Sequence, residues 1–151
     1  MSVDNLSGRF FLDTNIFVYT FDASAPEKKE MAKRLVHRAL YTQDGVISTQ
    51  VIQEFLNVAL RKFHSPLTLA ECQEYLATVL SPLCKQHPTV SFYQEALKVR
   101  DETGFSFYDS LILAAAIDTG CSFLLTEDMQ SGRTVQGVTI ANPFDVANAA
   151  L

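Results

Sequence analysis

Four acidic residues occupy positions from which their carboxylates could act on one ligand. They are Asp13, Glu54, Asp109 and Asp128. Carboxylates that converge on one cleft repel one another and become partly protonated unless a cation lies among them. Because the set contains no histidine or cysteine, its ligand atoms would be hard oxygens, which favour magnesium or manganese over zinc. Such ions suit phosphoryl transfer, since they polarise a phosphate, lower the pKa of a bound water and stabilise the leaving oxygen.

Each acid taken alone also has an ordinary structural explanation. Asp13 could cap a turn after a strand, and Asp109 could be the acidic member of a capping box that starts at Ser106. Glu54 could be a solvated helix residue, although no cationic residue three or four positions away would pair with it. Asp128 could simply begin a loop. The metal-site hypothesis therefore depends on whether the fold brings the four acids together.

The apolar pattern predicts short strands that end at two of these acids. The runs Arg9–Leu12 and Ser122–Thr126 read as buried strands, and Asp13 and Asp128 lie just beyond them. Two more strands are predicted, at Gly45–Ser48 and Val138–Ala141.

Helices are predicted between these strands. Four of them begin at residues that can cap a helix N-terminus, namely Ser24, Thr68, Ser91 and Ser106. Another helix, from about residue 50 to 62, carries Glu54 just outside its apolar arc. The helix after Ser106 is apolar almost all round, so we expect it to be buried and to place Asp109 at the mouth of the core.

The alternation of strands and helices predicts parallel pairing with right-handed crossovers. We therefore expect an α/β fold, a three-layer α/β/α sandwich with a central parallel sheet of four to five strands. The length of 151 residues predicts a single domain over residues 1–151, with its core at about 9–144. Ligands of such sheets bind beyond the carboxyl ends of the strands, which is where Asp13 and Asp128 are expected.

Composition excludes several classes of protein. Apolar residues make up 48% and charged residues 19%, which rules out wholesale disorder. The net charge of −5 argues against nucleic-acid binding by bulk charge alone. The longest apolar run, Leu111–Ile117, is far shorter than the roughly 20 residues that cross a bilayer. With no apolar N-terminal stretch and no paired cysteine motif, we expect a cytoplasmic protein with reduced thiols.

Four segments together carry a resemblance to a known family. They are FLDTNIFVY around Asp13, STQVIQEFLNV around Glu54, FSFYDSLILAAAI around Asp109 and LLTEDMQSG around Asp128. In this order and spacing they resemble the PIN-domain nucleases, and within them the VapC-type toxin ribonucleases of prokaryotic toxin–antitoxin pairs. The resemblance extends over nearly the whole chain, from about Arg9 to Phe144.

The resemblance implies a function and a role for each matched residue. It implies a Mg²⁺- or Mn²⁺-dependent endoribonuclease that acts as a homodimer on RNA and is inhibited by a small antitoxin protein. The four acids of the family match Asp13, Glu54, Asp109 and Asp128, which would be both catalytic residues and metal ligands. Asn15 and Thr126 match supporting positions, and Glu127, which lies between matched positions, is given a supporting role only.

Basic residues near the acids are candidates for contacts with the phosphate backbone of RNA. Arg133 follows Asp128 by five residues and is the single residue that we select as a substrate-binding phosphate clamp. Five more basic residues lie on the helix predicted after Ser24, where they could equally form a solvated face.

Other functions remain open at the level of the sequence. PIN domains also serve as RNA-processing nucleases outside toxin–antitoxin pairs, and a PIN-like module could bind RNA or protein without cutting it. A phosphatase of the haloacid-dehalogenase type also places an aspartate after its first strand. That class needs a second aspartate where this chain has Asn15 and a late lysine that does not occur after Lys98.

Overall fold

A single six-stranded sheet organises the chain. The computed structural model describes residues 5–145, so the ends of the predicted domain, 1–4 and 146–151, lie outside the described residues. The strands are β1 (Phe10–Leu12), β2 (Gly45–Ser48), β3 (Cys84–Gln86), β4 (Phe123–Leu125), β5 (Thr134–Val135) and β6 (Val138–Ala141). They lie in the order β3-β2-β1-β4-β6-β5, and every pair is parallel except β5 with β6.

The sheet has six strands, more than the four to five that were predicted, and two of them were not located by the apolar pattern. Both are short edge strands: β3 contains Lys85 and Gln86, and β5 has only two residues. β5 and β6 form a hairpin whose two loop residues, Gln136 and Gly137, have φ values of 46° and 84°. Two consecutive positive φ values are typical of a type I′ turn, which reverses the chain and makes β5 antiparallel.

Helices flank this sheet, which confirms the predicted α/β sandwich. The helices are α1 (Thr14–Tyr19), α2 (Pro26–Thr42), α3 (Thr49–Arg61), α4 (Leu69–Tyr75), α5 (Ser81–Leu83), α6 (Val90–Thr103) and α7 (Phe107–Asp118). A π-helical segment, Leu76–Leu80, joins α4 to α5. In the described part of the chain, no helix is both long and apolar enough to cross a membrane.

Two of the four predicted helix caps are confirmed. Thr68 forms a complete capping box with Glu71, and the hydroxyl of Ser106 accepts a hydrogen bond from the backbone N–H of Asp109. The other two predictions were wrong. Ala25 precedes α2, because the hydroxyl of Ser24 bonds to Asp22 instead, and the cap of α6 is Thr89, two residues before Ser91.

The short helix α1 was not predicted. Only one residue separates it from the end of β1. That residue is its N-cap, Asp13, whose side chain accepts a hydrogen bond from the backbone N–H of Thr14. A six-residue helix is too short to show a clear apolar period. Asp13 therefore acts as a cap after its strand, but it caps a helix rather than the turn that was suggested, and it is also buried.

The helix α7 is the apolar element that fixes one side of the site. Residues 110–116 are buried without interruption, as the all-round apolar pattern predicted. The helix packs on β2, β4 and β6. Its first turn, which carries Asp109, is therefore held in place by the core.

Candidate active site

The carboxyl ends of β1 and β4 form the centre of the site. The two strands are neighbours, with Leu12 opposite Leu125, so the residues that follow them lie side by side. The backbone N–H of Asp13 donates to the carbonyl of Leu125 at 3.0 Å and continues the ladder one step beyond β1. Asp13 and Thr126 are thus positioned by the sheet rather than by a loop.

Asp13 is held in one orientation by two hydrogen bonds. The hydroxyl of Thr126 donates to Oδ2 at 2.7 Å, and the backbone N–H of Thr14 donates to Oδ1 at 2.7 Å. The residue is only 6% exposed. Both oxygens therefore have a fixed direction, and each keeps acceptor capacity for one further partner.

Burial raises the pKa of Asp13 to about 6. The hydrogen bonds from Thr126 and Thr14 act in the opposite direction, and the negative charges of Glu54 and Asp128 raise the pKa further. Among the described residues, no positive charge enters this balance. The site is therefore an anionic cluster whose central carboxyl group is half-protonated near pH 6 and mostly ionised at pH 7.

Asp128 reaches the cluster through Asn15 and Thr126. The side-chain amide of Asn15 donates to Oδ2 of Asp128 at 2.9 Å, and the backbone N–H of Asp128 donates to the hydroxyl oxygen of Thr126 at 3.1 Å. Thr126 thus bridges Asp13 and the loop of Asp128. Asn15 Oδ1 is buried and has no hydrogen-bond partner.

Glu54 approaches from α3. Its Oε2 accepts a hydrogen bond from the hydroxyl of Thr14 at 3.3 Å, and its Oε1 accepts one from the side-chain amide of Gln50 at 2.7 Å. The amide of Gln50 also lies 3.3 Å from the carbonyl oxygen of Tyr108, the residue before Asp109. Gln50 therefore ties α3 to the first turn of α7, and Asp109 is half-buried beside this link.

The donor set fits a hard divalent ion in its chemistry. Carboxylate oxygens, the free Oδ1 of Asn15 and the unfavourable charge on Asp13 all suit Mg²⁺ or Mn²⁺. Across residues 5–145, no three acids, histidines or cysteines are close enough to hold one metal ion together. Mg²⁺ does not require such a cage, because it usually keeps several waters and binds one or two carboxylates directly.

Glu127 lies in a separate cluster, which we call the Lys28 cluster and which consists of Tyr19, Lys28, Glu127 and Phe144. Lys28 Nζ lies 2.7 Å from Glu127 Oε2, and the hydroxyl of Tyr19 donates to Oε1. Lys28 Nζ also lies 4.9 Å from the centre of the Tyr19 ring and 5.8 Å from that of Phe144. Sequence reasoning missed this cluster because Lys28 and Glu127 are 99 residues apart.

The Lys28 cluster shifts the pKa of Glu127 downward. Burial alone would raise it, but the hydrogen bonds from Lys28 and Tyr19 and the charge of Lys28 together lower the pKa. The pKa of Lys28 is raised in turn, first by its hydrogen bond to Glu127 and then by the one to Tyr19. Glu127 is therefore an ionised partner of a lysine.

Arg133 is anchored at the end of α6. Its Nη1 donates to the carbonyl oxygen of Thr103 at 2.9 Å, and its guanidinium lies 5.1 Å from the centre of the Phe105 ring. These contacts tie the segment before β5 to the connection between α6 and α7. The substrate-binding role of Arg133 stays a prediction.

The comparisons with known proteins point to one family. The family model described as PIN domain matches residues 10–134. None of the curated proteins matches the chain.

Three solved structures are similar in fold. A toxin–antitoxin complex from Klebsiella pneumoniae has a TM-score of 0.63 and 21% identity, over 93% of this chain and 100% of that one. VapBC2 from Rickettsia felis, bound to a DNA fragment from its promoter, has a TM-score of 0.56 and 19% identity, over 88% and 97%. VapC20 from Mycobacterium tuberculosis, a sarcin-ricin-loop-cleaving toxin, has a TM-score of 0.52 and 20% identity, over 76% and 86%.

Proposed function

The chain belongs to the PIN domain family, and on this basis we propose that it is a Mg²⁺- or Mn²⁺-dependent endoribonuclease, the toxin of a toxin–antitoxin pair. One observation carries the enzymatic part of this proposal. Burial raises the pKa of the Asp13 carboxyl group to about 6, and the negative charges of Glu54 and Asp128 raise it further. An arrangement that places negative charges together at a cost to itself is typical of a site that binds a cation.

The acids and the residues that hydrogen-bond to them have different roles at this site. Asp13, Glu54, Asp109 and Asp128 are the residues that would hold the ion, either directly or through water. When bound, the ion polarises the scissile phosphate and makes a water molecule a better nucleophile at neutral pH. Thr126 and the backbone of Thr14 hold the carboxylate of Asp13 in place, and Asn15 holds that of Asp128. Removing such supporting hydrogen bonds typically lowers metal affinity or activity by about 10–100-fold.

The proposed substrate is RNA, and the proposed partner is a small antitoxin. Among the structures of similar fold, VapC20 is a sarcin-ricin-loop-cleaving toxin, and the other two are a toxin–antitoxin complex and VapBC2. A groove of about 950 Å³ runs between the end of α1 and the connection from α3 to α4, and its lining combines apolar side chains with Asp22, Lys62 and Glu71. We propose that an antitoxin segment binds in this groove, against the apolar side chains of Val18, Phe21, Val58, Phe63 and Leu67. We also propose that the protein is cytoplasmic and that it forms a homodimer.

Cleavage of RNA by purified protein tests the enzymatic part. We expect wild-type protein to cut a mixed oligoribonucleotide in Mg²⁺ and to stop in EDTA. Asp13→Asn, prepared in the same way, should lose at least about a hundredfold in rate, the loss typical of removing one group that stabilises transition-state charge. Equal cleavage by the two proteins would trace the activity to a contaminant or to another residue.

The partner and the oligomeric state need separate measurements. Light scattering at micromolar concentration should give the mass of a dimer. Co-expression with the product of a small neighbouring gene should give a complex that no longer cleaves RNA. Full activity in the presence of that product would remove the antitoxin assignment and leave the nuclease assignment in place.

A further inference from the structure

A small pocket lies beside the acid site at the same edge of the sheet. Its volume is about 220 Å³. Ser48 and Gln86 lie opposite each other at the carboxyl ends of β2 and β3 and form part of its wall. Gln50 lines the pocket as well, and the same side-chain amide donates to Glu54. The pocket and the acid site therefore share one wall.

The lining of this pocket is neutral, polar and aromatic. Among the described residues that line it, none is acidic, basic or a histidine. Hydrogen-bonding side chains come from Ser48, Gln53 and Gln86, and flat rings come from Tyr93 and Tyr108. A pocket without positive charge is a poor site for phosphate, which basic side chains bind. It is suited to an uncharged, planar group that both stacks and forms hydrogen bonds.

Two polar atoms in the wall have no partner. Ser48 is 2% exposed and Gln86 is 3% exposed, and neither Ser48 Oγ nor Gln86 Nε2 forms a hydrogen bond. Ser48 is the N-cap residue of α3, yet its hydroxyl does not cap the helix. Leaving a buried polar group unsatisfied typically costs about 1–3 kcal/mol, so such groups need an explanation. Both atoms are fully buried, so a ligand with donors and acceptors on its edge would satisfy them once their side chains turn toward the pocket.

An exposed aromatic ring lies where the pocket meets the acids. Tyr108 directly precedes Asp109, and it is 69% exposed although it lies in the first turn of a helix whose following turns are buried. Exposed rings beside a nuclease site can stack on unpaired bases, because every base has a flat π-face. Proteins that read RNA sequence commonly stack a splayed-out base on such a ring and hydrogen-bond its edge.

We propose that this pocket binds one unpaired nucleobase of the RNA substrate next to the cleaved phosphate and gives the enzyme its base preference. The inference rests on the proposed nuclease function. The volume supports a single base, since it is below the roughly 300–1,000 Å³ of pockets that bind drug-sized ligands. Tyr108 provides the stacking surface, and Ser48 and Gln86 provide hydrogen bonds that distinguish one base from another.

Binding without cleavage tests the pocket. In an Asp13→Asn background with Mg²⁺, fluorescence anisotropy would give the Kd for labelled hexaribonucleotides of A, C or U and for an alternating GU hexamer. We expect one of the four to bind about tenfold more tightly than the weakest. Tyr108→Ala should weaken that preferred oligomer about tenfold. Ser48→Ala should reduce the preference at least about threefold, without lowering the thermal stability, because it removes an unsatisfied hydroxyl.

Matched variants control for general effects of the substitutions. Tyr41→Ala removes another exposed tyrosine, which lies on α2. Ser110→Ala removes another buried hydroxyl without a partner, and Ser110 does not line the pocket. Both variants should keep the preference of the Asp13→Asn protein. Loss of preference in these controls as well as in the pocket variants would overturn the assignment to this pocket.

The outcomes separate the pocket from the proposed function. Equal affinity for all four oligomers, or a preference unchanged by Tyr108→Ala and Ser48→Ala, would overturn the pocket even if the wild type cuts RNA. A preference that depends on these two residues supports the pocket even if no cleavage is detected, in which case the nuclease assignment fails alone.

Discussion

Glu127 and Asp128 are consecutive residues with the same charge, and they lie in opposite electrostatic surroundings. Glu127 belongs to the Lys28 cluster, where a lysine and a tyrosine hydroxyl bind its carboxylate. Asp128 joins the acid site, where its charge raises the pKa of the buried Asp13 and its hydrogen-bond donor is the neutral amide of Asn15. In the Lys28 cluster the positive charge of Lys28 compensates the charge of Glu127. In the acid site several negative charges lie together without such compensation.

The two clusters shift pKa values in opposite directions. The pKa of Glu127 is lowered, whereas that of Asp13 is raised to about 6. In the Lys28 cluster the folded protein satisfies its own carboxylate, so the acid helps to fasten the loop after β4 to α2. In the acid site the buried carboxylate of Asp13 accepts hydrogen bonds but has no compensating positive charge from the described residues, which favours a cation from outside. Charge compensation thus distinguishes two acids that sequence position alone does not.

The largest expected effect concerns the buried charge of Asp13. Raising its pKa from the ordinary 3.8 to about 6 corresponds to about 3 kcal/mol, at about 1.36 kcal/mol per pH unit. Between these pH values the folded protein binds more protons than the unfolded chain, so this contribution to stability is present below pH 4 and is lost as the pH rises through 6. The Asp13→Asn variant has no titratable group at this position, so it does not lose stability in this way as the pH rises. In EDTA it should therefore gain about 3 kcal/mol relative to wild type between pH 4 and 7.

Urea unfolding of both proteins at several pH values measures this gain. Asp22, Glu71 and Glu127 have lowered pKa values and act in the opposite direction, but both proteins contain them, so their effects cancel in the difference. A constant difference across the pH range would mean that Asp13 is not destabilised by its burial, and the contrast between the two clusters would disappear.

The second largest expected effect is a difference in the rate of RNA cleavage between variants of the two consecutive acids. Asp128→Asn should slow RNA cleavage by about 10–100-fold, because it removes one charge from the proposed metal site. Glu127→Gln should slow cleavage by less than about threefold, since its carboxylate is bound by Lys28 and Tyr19. The rates should be compared at saturating Mg²⁺ and again at low Mg²⁺. If Glu127→Gln is the more damaging change, the assignment of roles to these neighbours is reversed.

The smallest effect concerns the Lys28 cluster. The side chains of Lys28 and Glu127 are 40% and 25% exposed, so solvent screens the ion pair, which is worth about 0.2–1 kcal/mol. Contact with the Tyr19 and Phe144 rings adds about 0.5–1 kcal/mol. Lys28→Met should therefore lower the free energy of unfolding by about 1 kcal/mol. Lys33→Met, at an exposed position on the same helix, should lower it by less than half of that.

A double variant sharpens this last measurement. Lys28→Met leaves Glu127 charged without its lysine, so adding Glu127→Gln should recover part of the lost stability. Strict additivity of the two losses in denaturant unfolding would show that the pair is not coupled.

Much of the fold could be predicted from the sequence because its central strands are short apolar runs. β1, β2, β4 and β6 lie within a residue of their predicted bounds, and α7 is buried as its composition indicates. β3 and β5 were missed, since edge strands of two or three partly polar residues show no apolar period. The helix α1 was missed for the same reason of length.

The candidate site was less predictable than the fold. The position of Asp13 after β1 indicated where it would lie, but its burial and its bond to Thr126 depend on a contact across 113 residues. The role of Gln50 also depends on a distant partner, since it links Glu54 to the first turn of α7. Local patterns show which residues share an element, and long-range contacts decide which of them meet.

The edges of the sheet bear on how this chain can assemble with others. Exposed strand edges invite pairing with strands of other molecules, which leads to aggregation. Here the two outermost strands are β3, with three residues, and β5, with two, so each offers few backbone groups to an incoming strand. Partners that join by extending the sheet are therefore disfavoured at both ends. Contacts through helices and side chains are the route left for specific assembly.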